Sequence, residues 1–301
     1  MSRVLCVGHA VQDFVFGVEA LPTRGEKYRA RSFTTVGGGP AATAAVAIAR
    51  LGGEALLAAR IGDDLAAGLI AAELEGYGVD CRWLRRFAGC GSSVSAVMVD
   101  PAGERMIVNH LDAALPRDAS WLPEPHAVDA RCVLADVRWP EGALAALVQA
   151  RAAGLPGVLD ADRPVPTDGA LLRAASHAAF SADALSDYTG DDDLPRALAR
   201  VAAELGNWCC VTAGAEGVWV ASAGAVENIP AFPVSPVDTL GAGDVWHGAF
   251  ALALAEGRRE PDAVRFASAA AAIKVTRFGG RKGVPDRAEV DSLLATRPAL
   301  A

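Results

Sequence analysis

Short, almost wholly apolar runs recur along this chain, each followed by an alanine-rich stretch of helical length, and this alternation restricts the fold more than any other feature. "VLCVG" at 4–8 is bounded by glycine and reads as a buried strand. "PAATAAVAIARLGG" at 40–53 reads as a helix, with proline in its first turn and Gly52-Gly53 as its stop. "EALLAARIG" then predicts a strand and "LAAGLIAAELEGYGV" a helix. The rhythm resumes near residue 132. Strands are predicted at "CVLADV", "GVLDA", "AAF" and "WCCVTA", and helices at "GALAALVQARAAG", "GALLRAA" and "DLPRALARVAAEL". Strand–helix–strand alternation over such a length predicts a mostly parallel sheet with helices on both faces. With no repeat and no low-complexity linker, the 301 residues are expected to form a single α/β domain.

Two segments break the rhythm. Residues 11–36 are rich in β-branched, aromatic and charged residues and lack a helical period, and 93–110, "SVSAVMVDPAGERMIVNH", reads as a hairpin about the turn "DPAG". Together they predict a small antiparallel sheet made of excursions from the main domain. Such a β lid over the mouth of an α/β sheet would exclude water from a reaction.

Composition narrows the function. Apolar residues make up 52%, so a packed core is expected, and the net charge of −8 argues against a nucleic-acid partner. The six cysteines (6, 81, 90, 132, 209 and 210) show no C-x-x-C spacing and no metal-ligand pattern, and read as reduced thiols of a cytoplasmic protein. The opening "MSRVLCVGHAVQDF" does not read as a signal peptide, and the alanine-rich runs at 41–49 and 267–273 are too short to span a bilayer.

The stretch "DTLGAGDVWHGAF" at 238–250 places two glycines and two acids ahead of an apolar helix carrying Val245, Trp246 and Phe250. Gly241, Ala242 and Gly243 can bring bare N–H groups against a ligand. A helix N-terminus there would hold an anion such as phosphate. An acid within an anion site is electrostatically odd, and Asp244 is that acid. It is explained if Asp244 takes a proton while the turn holds the charge that develops beside it.

These segments stand in one order along the chain: "VGGGPAATAAVAIARLGG", "IGDDLAAGLIAAELEGYGVD", "VTAGAEGVWV", "DTLGAGDVWHGAFALALAEG" and "ASAAAAIKVTRFGGRKGVP". The chain thereby resembles the ribokinase-like (PfkB) family of carbohydrate kinases over nearly its whole length, with the D-T-x-G-A-G-D pattern complete. The resemblance implies a ribokinase-like three-layer sandwich with a small β lid, and ATP-dependent phosphorylation of a sugar hydroxyl. Phosphoryl transfer asks for alignment and charge stabilisation above all. By resemblance Asp244 is the base, and Gly241, Ala242 and Gly243 form the anion hole. Thr212, Gly214 and Gly217 line the phosphate and ribose region, and the helix at 265–276 with Gly279 and Gly280 forms the other wall of the adenine slot. Mg²⁺ arrives on ATP. Asp238 matches a position that in many relatives helps bind a monovalent cation behind the anion hole. The chain departs from the family at Ser181–Ala184, "SADA", where relatives often carry Asn-x-x-Glu.

On the sugar side, the resemblance implies that Asp13 hydrogen-bonds sugar hydroxyls and that the backbone of Gly38 and Gly39 lies against the sugar. Thr43 stands where the family often has asparagine. Lys27 and Asn109 fall in the lid segments, and Arg138 ends an apolar strand, where α/β folds place ligands. A lysine, an amide and an arginine converging on one end of the sugar would suit an anionic substituent. "GEKYRARSFTTVGGGPAATAAVAIARLGG", "VLADVRW" and "DTLGAGDVWHGAF" together are similar to a subgroup, the 6-deoxy-6-sulfofructose kinases, which phosphorylate the 1-hydroxyl of a ketohexose with a C6 sulfonate. That resemblance gives Lys27, Asn109 and Arg138 the sulfonate.

Other readings stay open. One is a kinase for fructose, fructose 6-phosphate, tagatose 6-phosphate or ribose. Another is a non-catalytic sugar or nucleotide sensor, which the "SADA" departure favours and Asp244 opposes. A dinucleotide oxidoreductase is disfavoured, since no Gly-x-Gly-x-x-Gly follows the first strand. Relatives often pair through their lids, so a homodimer is expected.

Overall fold

A computed structural model describes residues 1–222 and 224–296. The first strand, β1 (Arg3–Gly8), lies in the main sheet, and the chain then leaves it for β2 (Val11–Gly17) and β3 (Ser32–Gly38) of a second sheet. It returns through α1 (Pro40–Arg50), β4 (Glu54–Ile61), α2 (Leu65–Gly76) and β5 (Asp80–Arg86), then leaves again for β6 (Ser93–Val99) and β7 (Arg105–His110). A run of β8 (Cys132–Asp136), α3 (Pro140–Ala152), β9 (Gly157–Ala161), α4 (Ala170–Ala174), β10 (His177–Ser181), α5 (Ala182–Thr189), α6 (Leu194–Leu205) and β11 (Trp208–Thr212) follows. The hairpin β12 (Val218–Ser222) and β13 (Ala225–Ile229) closes one sheet edge before α7 (Ala242–Ala255), α8 (Glu260–Val275) and α9 (Arg287–Thr296).

The main sheet has nine strands in the order β13-β12-β11-β10-β9-β8-β1-β4-β5. Every pairing from β11 across to β5 is parallel; β12 and β13 are antiparallel. Strand β1 shows why its run is apolar throughout. Val4 and Cys6 pack into the core with α1, α7 and α8, while Leu5 and Val7 pack on the other face with α3, α4 and α6. Both faces are covered, so the polar alternation of a half-exposed strand is lost. The order reverses between β1 and β8, because β1 leads on toward β4 on one side and β8 lies on the other. Open α/β sheets bind ligands at the carboxyl ends of strands at such a point.

The second sheet has the order β3-β2-β6-β7. It is not antiparallel throughout, as the sequence suggested: β2 and β6 pair in parallel, with Asp13 opposite Ser95. Both follow, after short links, from the carboxyl ends of parallel strands β1 and β5, so they leave the main domain in the same direction. The outer pairs are hairpin-like and antiparallel, and the turn at 100–103 closes with the Gly103 N–H donating to Asp100 O at 3.0 Å.

Helix α7 is held in place by small and aromatic residues. At Gly248 a Cβ would come within 2.5 Å of Ala44 O, so only glycine lets α7 approach the α1 backbone this closely. Farther along, Phe250 stacks on Trp246 and Trp208 with centroids 5.0 and 5.1 Å apart, which ties the helix to β11. Stacks of this kind contribute roughly 0.5–1.5 kcal/mol each beyond their buried area. Packing α7 on α1 brings the N-termini of the two helices together.

Candidate active site

Gly241 caps α7 in the left-handed region (φ 72°), and the first intrahelical bond runs from the Val245 N–H to Gly241 O at 3.0 Å. The Ala242 N–H closes a turn onto Thr239 O at 3.1 Å. This leaves Gly243 and Asp244 as first-turn N–H groups with no carbonyl four residues back inside the helix. Gly243 is exposed, and a side chain there would meet open space. Asp244 keeps some exposure at the cleft mouth, but protein surrounds its carboxylate. Burial first, and then the nearby Asp160, push its pKa up to about 7, with His247 opposing.

Beneath Asp244 lies a buried polar set on the ends of β8 and β9. One oxygen of Asp136 accepts the N–H groups of His9 (2.8 Å) and Ala41 (3.0 Å), and the other accepts that of Arg138 (2.8 Å). A single carboxylate thus joins the end of β1, the start of α1 and the end of β8. Asp160 sits opposite Asp136 in the parallel register, and burial and that neighbour hold its carboxyl well above the usual range. His247 lies with Nδ1 2.8 Å from Gly243 O and Nε2 3.5 Å from Asp160 Oδ1, and burial pulls its pKa down. Both ring nitrogens of His247 thus face backbone carbonyls, Nε2 lying 3.3 Å from Ala179 O.

Asp13, expected to bind the sugar, lies against Gly38, where a Cβ would overlap its carboxylate. Burial raises the Asp13 pKa, and a hydrogen bond with Ser95 opposes that rise. Gly39 (φ 95°) is packed against His9 O and caps α1. Thr43 is buried in the first turn of α1, and its methyl group faces Gly241. Asp13, Gly38, Thr43, Gly241 and Asp244 thus form one continuous lining.

The residues expected to share an anionic substituent are placed differently from one another. Asn109 stands opposite Ser95, itself opposite Asp13, so all three share a face of the small sheet. Its amide NH₂ donates to Ser95 Oγ (3.1 Å), Val94 O (3.2 Å) and Ser93 Oγ (3.3 Å). The guanidinium of Arg138 lies 3.6 Å from Asp162, and Lys27 is exposed on the irregular segment between β2 and β3.

Thr212, expected to border the nucleotide, ends β11 opposite Ser181, and its hydroxyl donates to Phe180 O at 3.3 Å. Gly214 (φ 53°) and Gly217 (φ 96°) turn the chain back into β12. Ser181 caps α5 and donates to Asp162 Oδ1 at 2.9 Å, while Asp183 pairs with Arg163 at 3.3 Å. Gly279 and Gly280 donate their N–H groups to Asp238 Oδ2 at 3.0 and 3.2 Å. Among the described residues no group of three His, Cys, Asp or Glu side chains is disposed to hold a metal ion.

Besides Asp136, Asp160 and His247, two further residues at the site escaped the sequence reading. Arg281, only 3% exposed, donates from Nε to Thr43 Oγ1 (3.2 Å) and from Nη2 to Gly38 O (2.7 Å), tying the start of α1 to the end of β3. Lys274 is fully buried and donates to Asp238 O at 2.7 Å. A lone lysine in the alanine run "AAAAIKV" was the available signal for the second; the turn "GGRKG" offered none for the first.

Comparison with known proteins identifies the family and the fold. The family described as pfkB family carbohydrate kinase matches residues 1–287. The chain is 31% identical to a ribokinase of Bacillus subtilis, over 98% of this chain and 100% of that protein. Among solved structures it matches a protein from Agrobacterium tumefaciens provisionally named a ribokinase, at 38% identity and a TM-score of 0.93, covering 98% of each chain. It also matches Arabidopsis thaliana ribokinase complexed with ribose and ATP, at 27% identity and a TM-score of 0.84, covering 97% of this chain and 98% of that one.

Proposed function

This chain belongs to the pfkB family of carbohydrate kinases and is an ATP-dependent sugar kinase, and on that premise we propose that Asp244 is the base of the transfer. One juxtaposition carries the assignment: a carboxylate whose pKa burial pushes up to about 7 stands in the first turn of a helix that begins beside the exposed Gly243. A base poised near neutral pH accepts a hydroxyl proton well, and the N–H groups beside it hold the charge of the migrating phosphoryl group. Of the expected hole of Gly241, Ala242 and Gly243, the Ala242 N–H is spent on Thr239 O, which leaves those of Gly241 and Gly243, joined by that of Asp244, to supply it. Asp13 and the Gly38 and Gly39 backbone orient the acceptor sugar, and Thr43 borders it beside the turn. Thr212, Gly214 and Gly217 on one side, and Gly279 and Gly280 on the other, border the nucleotide. Mg²⁺ comes with ATP, where it neutralises phosphate charge. Replacing Asp244 by Asn tests the assignment: turnover should fall at least about 10³-fold while ATP affinity persists. A near-normal rate would remove Asp244 from the mechanism.

For the acceptor, our reading is the 1-hydroxyl of 6-deoxy-6-sulfofructose, with Lys27, Asn109 and Arg138 at the sulfonate. The position of Asn109 beside Asp13 and of Arg138 at the switch point supports it. It requires Arg138 to exchange Asp162 for the ligand and the 18–31 segment to bring in Lys27. A second reading, ribose, is favoured by the Asn109 amide. Its NH₂ is already engaged, so it presents its oxygen, which suits a sugar hydroxyl better than an anion. A panel of sulfofructose, ribose, fructose, fructose 6-phosphate and tagatose 6-phosphate, compared by kcat/KM, decides between them. Ribose or fructose ahead of sulfofructose overturns the sulfonate assignment.

The same lid supports a homodimer. Its face opposite Asp13 carries Phe14, Phe16, Phe33 and Val108, of which Phe33 is 58% and Val108 61% exposed. An apolar patch of this kind marks an interaction surface. Sedimentation of Phe33→Ser as a monomer beside a dimeric wild type would support it; a monomeric wild type would refute it.

A further inference from the structure

Asp238 begins the turn that leads into α7, and its carboxylate is crowded with donors. Oδ1 accepts Arg105 Nη2 at 2.7 Å and the Leu240 N–H at 2.9 Å, and Oδ2 accepts the N–H groups of Gly279 and Gly280. Lys274 Nζ lies 3.6 Å from Oδ2 and donates to the Asp238 backbone oxygen at 2.7 Å. The Asp238 N–H in turn donates to Val275 O at 3.0 Å, next to Lys274 in α8. An ammonium ion with no exposed surface therefore sits between the turn before α7, the end of α8 and the 279–280 turn.

This is the place where the family resemblance expects an exchangeable monovalent cation, and the residues present do not suit one. An entering cation would meet the Lys274 ammonium and the Arg105 guanidinium around a single carboxylate, and two resident charges of its own sign would repel it. The two cations also differ in origin. Lys274 belongs to the core, whereas Arg105 starts the lid strand β7, so Asp238 joins lid and anion hole.

We propose that Lys274 is a built-in replacement for a monovalent cation: its ammonium group fixes the 238–241 turn and so positions the N–H groups of the anion hole. Lys274 is thus a positioning residue, since it reaches the reaction only through that turn. The inference rests on the kinase reading, and the experiment separates the two. Sugar-dependent ADP formation by the intact chain is measured in KCl and in tetramethylammonium chloride at equal ionic strength, with ATP as its Tris salt, alongside Lys274→Ala. The wild type should change less than twofold between the salts. Lys274→Ala should lose at least tenfold in tetramethylammonium and regain most of it in KCl or NH₄Cl, because the vacated space then admits a free ion. Melting curves provide a readout without turnover: KCl should raise the Tm of Lys274→Ala and not that of the wild type. A wild type stimulated tenfold by K⁺ overturns the proposal. So does a folded Lys274→Ala that no monovalent cation rescues or stabilises. If no sugar supports ADP formation, the kinase reading fails, and the melting curves still decide the cation question. If Lys274→Ala does not fold, the response of the wild type to K⁺ decides it alone.

Discussion

Replacing Asp244 by Asn should stabilise the protein, with a gain that grows with pH. The Asp244 carboxyl shifts from 3.8 to about 7, chiefly through burial. In the folded chain it stays protonated until about pH 7, whereas in the unfolded chain it ionises near its ordinary value. The wild type therefore loses stability as pH rises through that window, and the loss is complete above it. The shift sets a ceiling of about 1.6 kcal/mol at pH 5 and about 4 kcal/mol at pH 8. Water at the cleft mouth and relaxation of the neighbouring Asp160 reduce both figures by a factor of about two. At about 2 °C per kcal/mol for a chain of this size, Asp244→Asn should melt about 2 °C higher than the wild type at pH 5 and about 4 °C higher at pH 8. Any fixed difference between Asn and a protonated Asp is the same at every pH, so the trend isolates the ionisation. Differential scanning calorimetry of both proteins from pH 5 to 8.5, in one buffer mixture, provides the measurement. A pH-independent gain, or one that shrinks with pH, would refute a raised carboxyl at residue 244, and with it the argument that this base is tuned by burial.

Three further outcomes follow from the same geometry. At saturating MgATP, kcat/KM for the sugar should fall about tenfold between pH 8 and pH 6, as a base of pKa about 7 takes up its proton; a flat profile down to pH 5 excludes Asp244 in that role. Gly38→Ala places a methyl group on the Asp13 carboxylate and should raise the sugar KM about tenfold or more, the ATP KM staying within about twofold; an unchanged sugar KM removes this glycine from the sugar lining. Gly248→Ala drives a Cβ to 2.5 Å from Ala44 O and should cost about 1–3 kcal/mol and lower kcat by displacing the α7 N-terminus from α1; thermal melts and initial rates matching the wild type would show that the helices separate freely.

Legibility from sequence followed burial. Strands β1, β8, β9 and β11 were predicted because covering both faces leaves their sequences apolar and short. Strand β5, "DCRWLRR", was not: it lies at the sheet edge, only partly buried, and its charged residues hide the pattern. The hairpin β12–β13 was not predicted: only its start, Val218–Val220, falls within the motif "VTAGAEGVWV", and β13 is at most partly buried. The parallel pairing of β2 with β6 had no local signal, because the two strands lie about 80 residues apart and only the direction in which each leaves the main sheet aligns them. Within the site, Asp244 and the glycines beside it could be read because one helix N-terminus gathers them in a short span.

The sequence alone determined the alternating fold and the cluster to which we assign the chemistry, since local hydrophobic period and backbone freedom are written residue by residue. Tertiary structure decided the electrostatics. It brought Asp160 and His247 beneath Asp244, Arg281 onto Thr43, and both Arg105 and Lys274 onto Asp238. A charge acts through space and through the medium around it, and neither its neighbours nor its burial exists until the chain has closed on itself.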